Sequence, residues 1–156
     1  MTKQITILLL AVILMSASTT VHQKPLTDCE KILEQQEANK KMVAEFYQKL
    51  FGDKDIDAIN QYIVEDYIQH NPYAADGRQA LINLVSQWFK NAPKEKIDIQ
   101  HIGADGNLVF LHTRSHRGEK TMSVIDIFRV ENNKIVEHWD VIQEVPEKAA
   151  NSHPMF

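Results

Sequence analysis

The chain has 156 residues, 44% of them apolar and 24% charged, with a net charge of −4. That balance fits one globular domain rather than a disordered segment. No basic block invites nucleic acid, and none of the five glycines builds a phosphate-cradling G-x-G-x-x-G or G-x-x-x-x-G-K loop.

In chain order, the first feature is a targeting signal. Lys3 precedes a run from Ile5 to Met15 that is apolar but for Thr6, and Ser16-Ala17-Ser18 offers small residues at cleavage spacing. Residues 1–18 are therefore expected to be a secretory signal peptide, which makes the mature chain secreted or periplasmic. The run is too short to span a bilayer, which needs about 20 residues, so no stable membrane anchor is expected after cleavage. Residues 19–26 read as a flexible leader. Cys29 is the only cysteine. No internal disulfide can form, and the core must hold the domain alone or with a second subunit. No cysteine cluster or H-E-x-x-H motif points to a metal.

The folded domain is expected over residues 27–147. Thr27 and Glu30 make a capping box that opens a first helix, which carries Met42, Val43, Phe46, Tyr47, Leu50 and Phe51 and ends at Gly52. A short helix over about Ile56–Ile63 follows. Asp66–Pro72, DYIQHNP, reads as extended, because Pro72 pushes its predecessor out of helical geometry. Gly77–Asn91 is a third helix with Leu81, Leu84, Val85, Trp88 and Phe89 as its apolar stripe. Strand patterns then cover Ile97–Ala104, Leu108–Arg117, Thr121–Val130 and Ile135–Val145, joined by short turn-rich links. Helices followed by hairpin strands predict an α+β fold, with helices on one face of a curved, mainly antiparallel sheet. Residues 148–156 read as a C-terminal tail.

The last two strands hold the chemistry. They are apolar enough for a core yet carry Asp126, His138 and Asp140, and a buried carboxylate is costly unless paired or hydrogen-bonded. Register decides which of these meet. A two-residue turn at Asn132-Asn133 would set Asp126 opposite Trp139. A three-residue loop over Glu131–Asn133 sets Asp126 opposite His138 and Val124 opposite Asp140, and is preferred because Asn-Asn is a weaker two-residue signal than Asn-Gly. A three-residue loop at Arg117–Glu119 likewise sets His112 opposite Val124 and Arg114 opposite Met122. His112, Arg114, His116, Asp126, His138 and Asp140 would then share one face with Val124, Phe128, Val136 and Ile142. The other face would carry Leu111, Ile125, Ile127, Ile135, Trp139 and Val141, and pack against a partner subunit. On that register Asp140, Asp126, His116 and His138 are the catalytic candidates, since such groups exchange protons near neutral pH. Arg114 can orient a carboxylate or a substrate oxygen. His112, His70, Asn71, Tyr67, Trp88 and Phe128 complete the expected substrate-binding set.

DYIQHNP and DIFRVENNKIVEHWD resemble the SnoaL-like polyketide cyclases of the nuclear-transport-factor-2-like superfamily, over about Asn39–Val145. The resemblance implies a cone-shaped α+β barrel with a pocket at its open end, and a homodimer formed through the sheet. It also implies aldol-type ring closure without metal or cofactor. The family's acid–base aspartate matches Asp140, and a second pocket residue, a histidine in the family, falls at Asp126. The more distant limonene-epoxide hydrolases carry an Arg-x-Asp pair that falls at Arg114 and His116, where the aspartate is missing. The expected activity is metal-free acid–base chemistry of aldol/cyclase, isomerase or lyase type on a small apolar or carbonyl-bearing ligand. The alternatives are a non-catalytic ligand binder and a dimeric interaction domain.

Overall fold

A computed structural model describes residues 27–156. The expected signal peptide and leader lie outside the described residues. Helix α1 (Asp28–Tyr47) opens on the capping box: Thr27 Oγ1 accepts from the Glu30 N–H at 3.3 Å, and the Glu30 carboxylate accepts from the Thr27 N–H at 2.6 Å. It runs into a π-helical turn (Gln48–Gly52). A side chain at Gly52 would collide with Gln48 Nε2 and the Glu95 carbonyl, at 2.0 and 2.8 Å from a Cβ. Glycine is therefore the residue that lets the chain turn here, where the Glu95 N–H donates to the Gly52 carbonyl.

Helix α2 (Asp57–Tyr62) leads directly into strand β1 (Ile63–Gln69), then helix α3 (Arg78–Trp88). Strands β2 (Asp98–Asp105), β3 (Leu108–Arg117), β4 (Lys120–Glu131) and β5 (Lys134–Glu144) follow. The sheet order is β1-β5-β4-β3-β2, antiparallel except for the parallel β1·β5 pair. Only the first four residues of the DYIQHNP segment, Asp66–Gln69, lie in an edge strand, which enters beside β5 between two helices in sequence; His70–Pro72 follow its end. Residues Val43, Phe46, Tyr47 and Leu50 of α1 pack with Val109, Leu111, Phe128, Val130 and Ile135 of the sheet to form the core. Among the described residues, no helix is long and apolar enough to cross a membrane.

The registers correct both expected loops. Asn132 and Asn133 form a two-residue turn, both in the left-handed region at φ 50° and 58°, flanked by the pair Glu131 and Lys134. Asparagine tolerates that region, so two in succession satisfy a type I′ turn. One step further the ladder slips: Val130 pairs with Ile135 but Arg129 pairs with Glu137, so Val136 is an extra residue in β5. Beyond the slip Asp126 sits opposite Asp140, and Phe128 opposite His138. The bulge restores the face that a two-residue turn alone would have lost.

No bulge rescues the preceding hairpin. Gly118, at φ 62°, and Glu119 make a two-residue turn, and pairing is regular from Arg117–Lys120 to Leu108–Arg129. Leu111 faces Asp126, Thr113 faces Val124 and Arg114 faces Ser123. His112, Arg114 and His116 therefore lie on the outer face, away from the helices.

Candidate functional site

The inner face gathers Asp126, His138 and Asp140, each offering one ligand-type atom within 4.8 Å of the others. Asp126 and His138 are buried at 5% and 8% exposure, whereas Asp140 is half-buried. His138 Nε2 is 3.0 Å from Asp126 Oδ1, and His138 Nδ1 is 2.9 Å from Gln69 Oε1.

Strand β1 explains the orientation of the histidine. Tyr67, Gln69 and Asn71 alternate along one face of the chain. Gln69 Oε1 accepts the Asn71 N–H at 2.9 Å, while Gln69 Nε2 donates to the Tyr67 hydroxyl at 3.2 Å. With the amide so fixed, its oxygen faces His138, and Nδ1 must donate. Nε2 then faces a carboxylate oxygen, and a hydrogen bond there needs one further proton. Asp126 and His138 share that proton, as a carboxylate–imidazolium or an acid–imidazole pair.

Asp140 has its own clamp. Asn71 Nδ2 donates to both carboxylate oxygens at 2.7 and 2.8 Å, and Asn71 Oδ1 accepts the Tyr73 N–H at 2.9 Å. The Phe128 ring lies 4.8 Å from the His138 ring and walls the pair. Two buried phenols complete the patch. Tyr47 and Tyr67 are both pushed well above the ordinary phenol value, first by burial and then by the negative charge of Asp126, so both stay protonated as neutral donors. Asp126 Oδ2 and Thr113 Oγ1 are buried without a well-formed hydrogen bond, and the Tyr47 hydroxyl is the neighbouring group that Thr113 and Asp126 share.

Of the residues singled out from sequence, Asp126, His138, Asp140, Asn71, Tyr67 and Phe128 come together here. The others do not. His112 bonds Ser123 Oγ at 2.8 Å and meets His101 Nδ1 at 3.1 Å on the outer face. Arg114 pairs with Asp98 at 3.5 Å and lies 4.3 Å over the Phe156 ring. His116 is exposed on the same side. All three face outward because the β3–β4 turn is one residue shorter than expected. His70 points outward from β1's end, stacks on Trp139 at 4.6 Å and bonds Glu137 at 2.7 Å. Trp88 is 56% exposed at the end of α3, where Val85 and Phe89 face the core instead. The tail reaches back to the outer face, with Phe156 stacked on His112 at 5.6 Å.

Gln69 and Tyr47 also belong to the site, although the sequence does not single them out as site residues. Period-two alternation from Tyr67 to Asn71 carries the signal for Gln69. Tyr47 reads as ordinary core at helical spacing, and nothing in its pattern distinguishes it. A separate groove of about 650 Å³ lies between α1 and the turns at Gly106-Asn107 and Asn132-Asn133; its only titratable residue is Glu131.

The SnoaL-like domain family matches residues 43–138 of the chain. No curated protein matches. Among solved structures, a protein from Kribbella flavida assigned as a ketosteroid isomerase superposes with a TM-score of 0.61 at 14% identity, over 75% of this chain and 86% of that one. A protein from Acidithiobacillus ferrooxidans assigned as a polyketide cyclase gives 0.56 at 19%, over 67% and 87%. An LEH-like epoxide hydrolase from M. tuberculosis gives 0.56 at 18%, over 70% and 85%. At these identities the likeness is one of fold. A curved five-stranded mixed sheet backed by helices, with a family match over more than half its length, identifies the chain as a member of the SnoaL-like domain family.

Proposed function

We propose that the protein is a small-molecule enzyme that moves protons with Asp140 and the His138–Asp126 pair. The observation that carries this is the locked histidine: with Nδ1 committed to Gln69, the pair holds one exchangeable proton beside a second, half-open carboxylate. Asp140 serves as the base that meets substrate. It takes a proton from the carbon next to a carbonyl, the C–H electrons move into an enolate, and the shared proton is available to the enolate oxygen. Tyr67, a neutral phenol whose oxygen already accepts from Gln69, can donate to the same oxygen. A small, largely apolar carbonyl compound suits walls such as Phe128 and Val124. Cyclase, isomerase and lyase reactions all begin with this step, and the fold neighbours span such assignments.

The test is deuterium exchange next to the carbonyl of a panel of cyclic ketones and β-keto esters, followed by NMR. Asp140→Asn should slow exchange by roughly 10²–10⁴-fold. Exchange by Asp140→Asn at the wild-type rate would remove Asp140 from the reaction. A second reading, ligand binding without turnover, is favoured by the depth of Asp126 and His138. It predicts a co-purifying ligand that the protein never converts.

Export and pairing through the outer sheet face belong to the same proposal. Exposed Phe110, Ile125 and Val141 support pairing there. Protein that stays in the cytoplasm with Met1 intact would count against export, and a monomer in sedimentation would count against pairing.

A further inference from the structure

We propose that Asp126, His138 and Asp140 also form a binding site for a divalent transition-metal ion. This goes beyond the acid–base reading and does not depend on it, because binding is measured without turnover. The three candidate ligand atoms lie within 4.8 Å of one another, two of them 3.0 Å apart. Two ligand atoms on a tetrahedral ion with bonds of about 2.0 Å stand about 3.3 Å apart, so Asp140 would close on the other two by up to about 1.5 Å.

Two further observations favour an ion over a fortuitous cluster. Asp126 is 95% buried, and its Oδ2 makes no well-formed hydrogen bond, with only the neutral Tyr47 hydroxyl beside the carboxylate. A neutral phenol does not balance the charge of a buried carboxylate, which calls for a positive neighbour. The surroundings also match the outer shell of a metal centre. His138 gives its other N–H to an amide carbonyl, which leaves Nε2 as the ligand, and Asp140 is oriented by Asn71. An ion on Nε2 takes the place of the proton that His138 and Asp126 otherwise share, which is released to solvent. The two carboxylates and the then neutral imidazole carry two negative charges, which a divalent ion balances. One nitrogen and two carboxylate oxygens suit Zn²⁺, Mn²⁺ or Fe²⁺ better than softer ions. The half-open side at Asp140 leaves a position for water or a substrate oxygen.

The probe is Zn²⁺, titrated into the full mature chain by calorimetry. One ion per chain should bind. His138→Gln and Asp140→Asn should each weaken it at least as much as the outer-shell variant Gln69→Leu, which should cost about 10–100-fold. The double variant His101→Gln/His112→Gln serves as control, because those two imidazoles meet at 3.1 Å on the outer face. Binding that survives His138→Gln, or is lost in the control, overturns the proposal. If a variant fails to fold, X-ray absorption of the zinc-loaded wild type still decides. A first shell with one imidazole supports the site, and two or more imidazoles refute it.

Discussion

The two hairpins that share β4 differ by one residue, and that residue decides the face on which each strand's polar side chains lie. Both turns have two residues, Gly118-Glu119 and Asn132-Asn133. The β3–β4 ladder then runs without interruption, so His112, Arg114 and His116 go to the outer face. The β4–β5 ladder takes up Val136 as a bulge, so His138 and Asp140 return to the inner face opposite Phe128 and Asp126. Side-chain facing has period two, so a single unpaired residue is equivalent to exchanging faces. A titratable group in a strand says little about function until every bulge between it and its neighbours is known.

Single-residue deletions should separate the hairpins most sharply. Deleting Ser115 from the regular ladder forces either a new bulge in β4 or an inward turn of His112 and Arg114. The expected cost is about 3–5 kcal/mol, as for an unpaired buried charge, read from urea unfolding. Deleting Val136 removes only the extra residue and leaves Arg129–Glu137 and Asp126–Asp140 as they are; about 1 kcal/mol is expected. Equal costs would show that the two ladders are not built differently.

Arg114→Ala gives a smaller effect. It removes the guanidinium over Phe156 and should cost about 0.5–1 kcal/mol while leaving exchange activity within about twofold of wild type. A hundredfold loss of activity would place Arg114 in the reaction after all.

The smallest effect is in pH dependence. Burial first, and then the neighbouring His101, pushes His112 below the ordinary histidine value of 6.5. The unfolded chain then binds the proton more readily than the folded one, so stability falls as pH drops below about 6.5. His112→Gln should flatten that fall in a series of urea midpoints between pH 8 and pH 5. An unchanged slope would assign the sensitivity elsewhere.

These contrasts also explain which parts were legible. Helix starts and strand cores follow from local chemistry, as at the Thr27–Glu30 box and in the Leu108–Arg117 strand, whose expected bounds are those observed. The parallel entry of β1 beside β5 is a tertiary pairing, and DYIQHNP alone gives only its extended character. The inner grouping of Asp126, His138 and Asp140 was reached from sequence through a three-residue loop. It arises instead from a two-residue turn plus a bulge, two one-residue differences that cancel. His112, Arg114 and His116 have no such compensation in their regular ladder, so the expected register places them on the wrong face. Nothing local marks Val136 as the bulged residue, because its fit depends on packing across β1, β4 and β5. Gln69 was readable only once Tyr67 and Asn71 were set on one face.

The central claim is that His138 donates from Nδ1 to Gln69 and shares a second proton with Asp126. Nitrogen-15 NMR of the imidazole at neutral pH tests it most directly. The expected result is a protonated Nδ1, together with a hydrogen-bonded proton at Nε2 that disappears in Asp126→Ala. A bare Nδ1, with the only ring proton on Nε2, would contradict it.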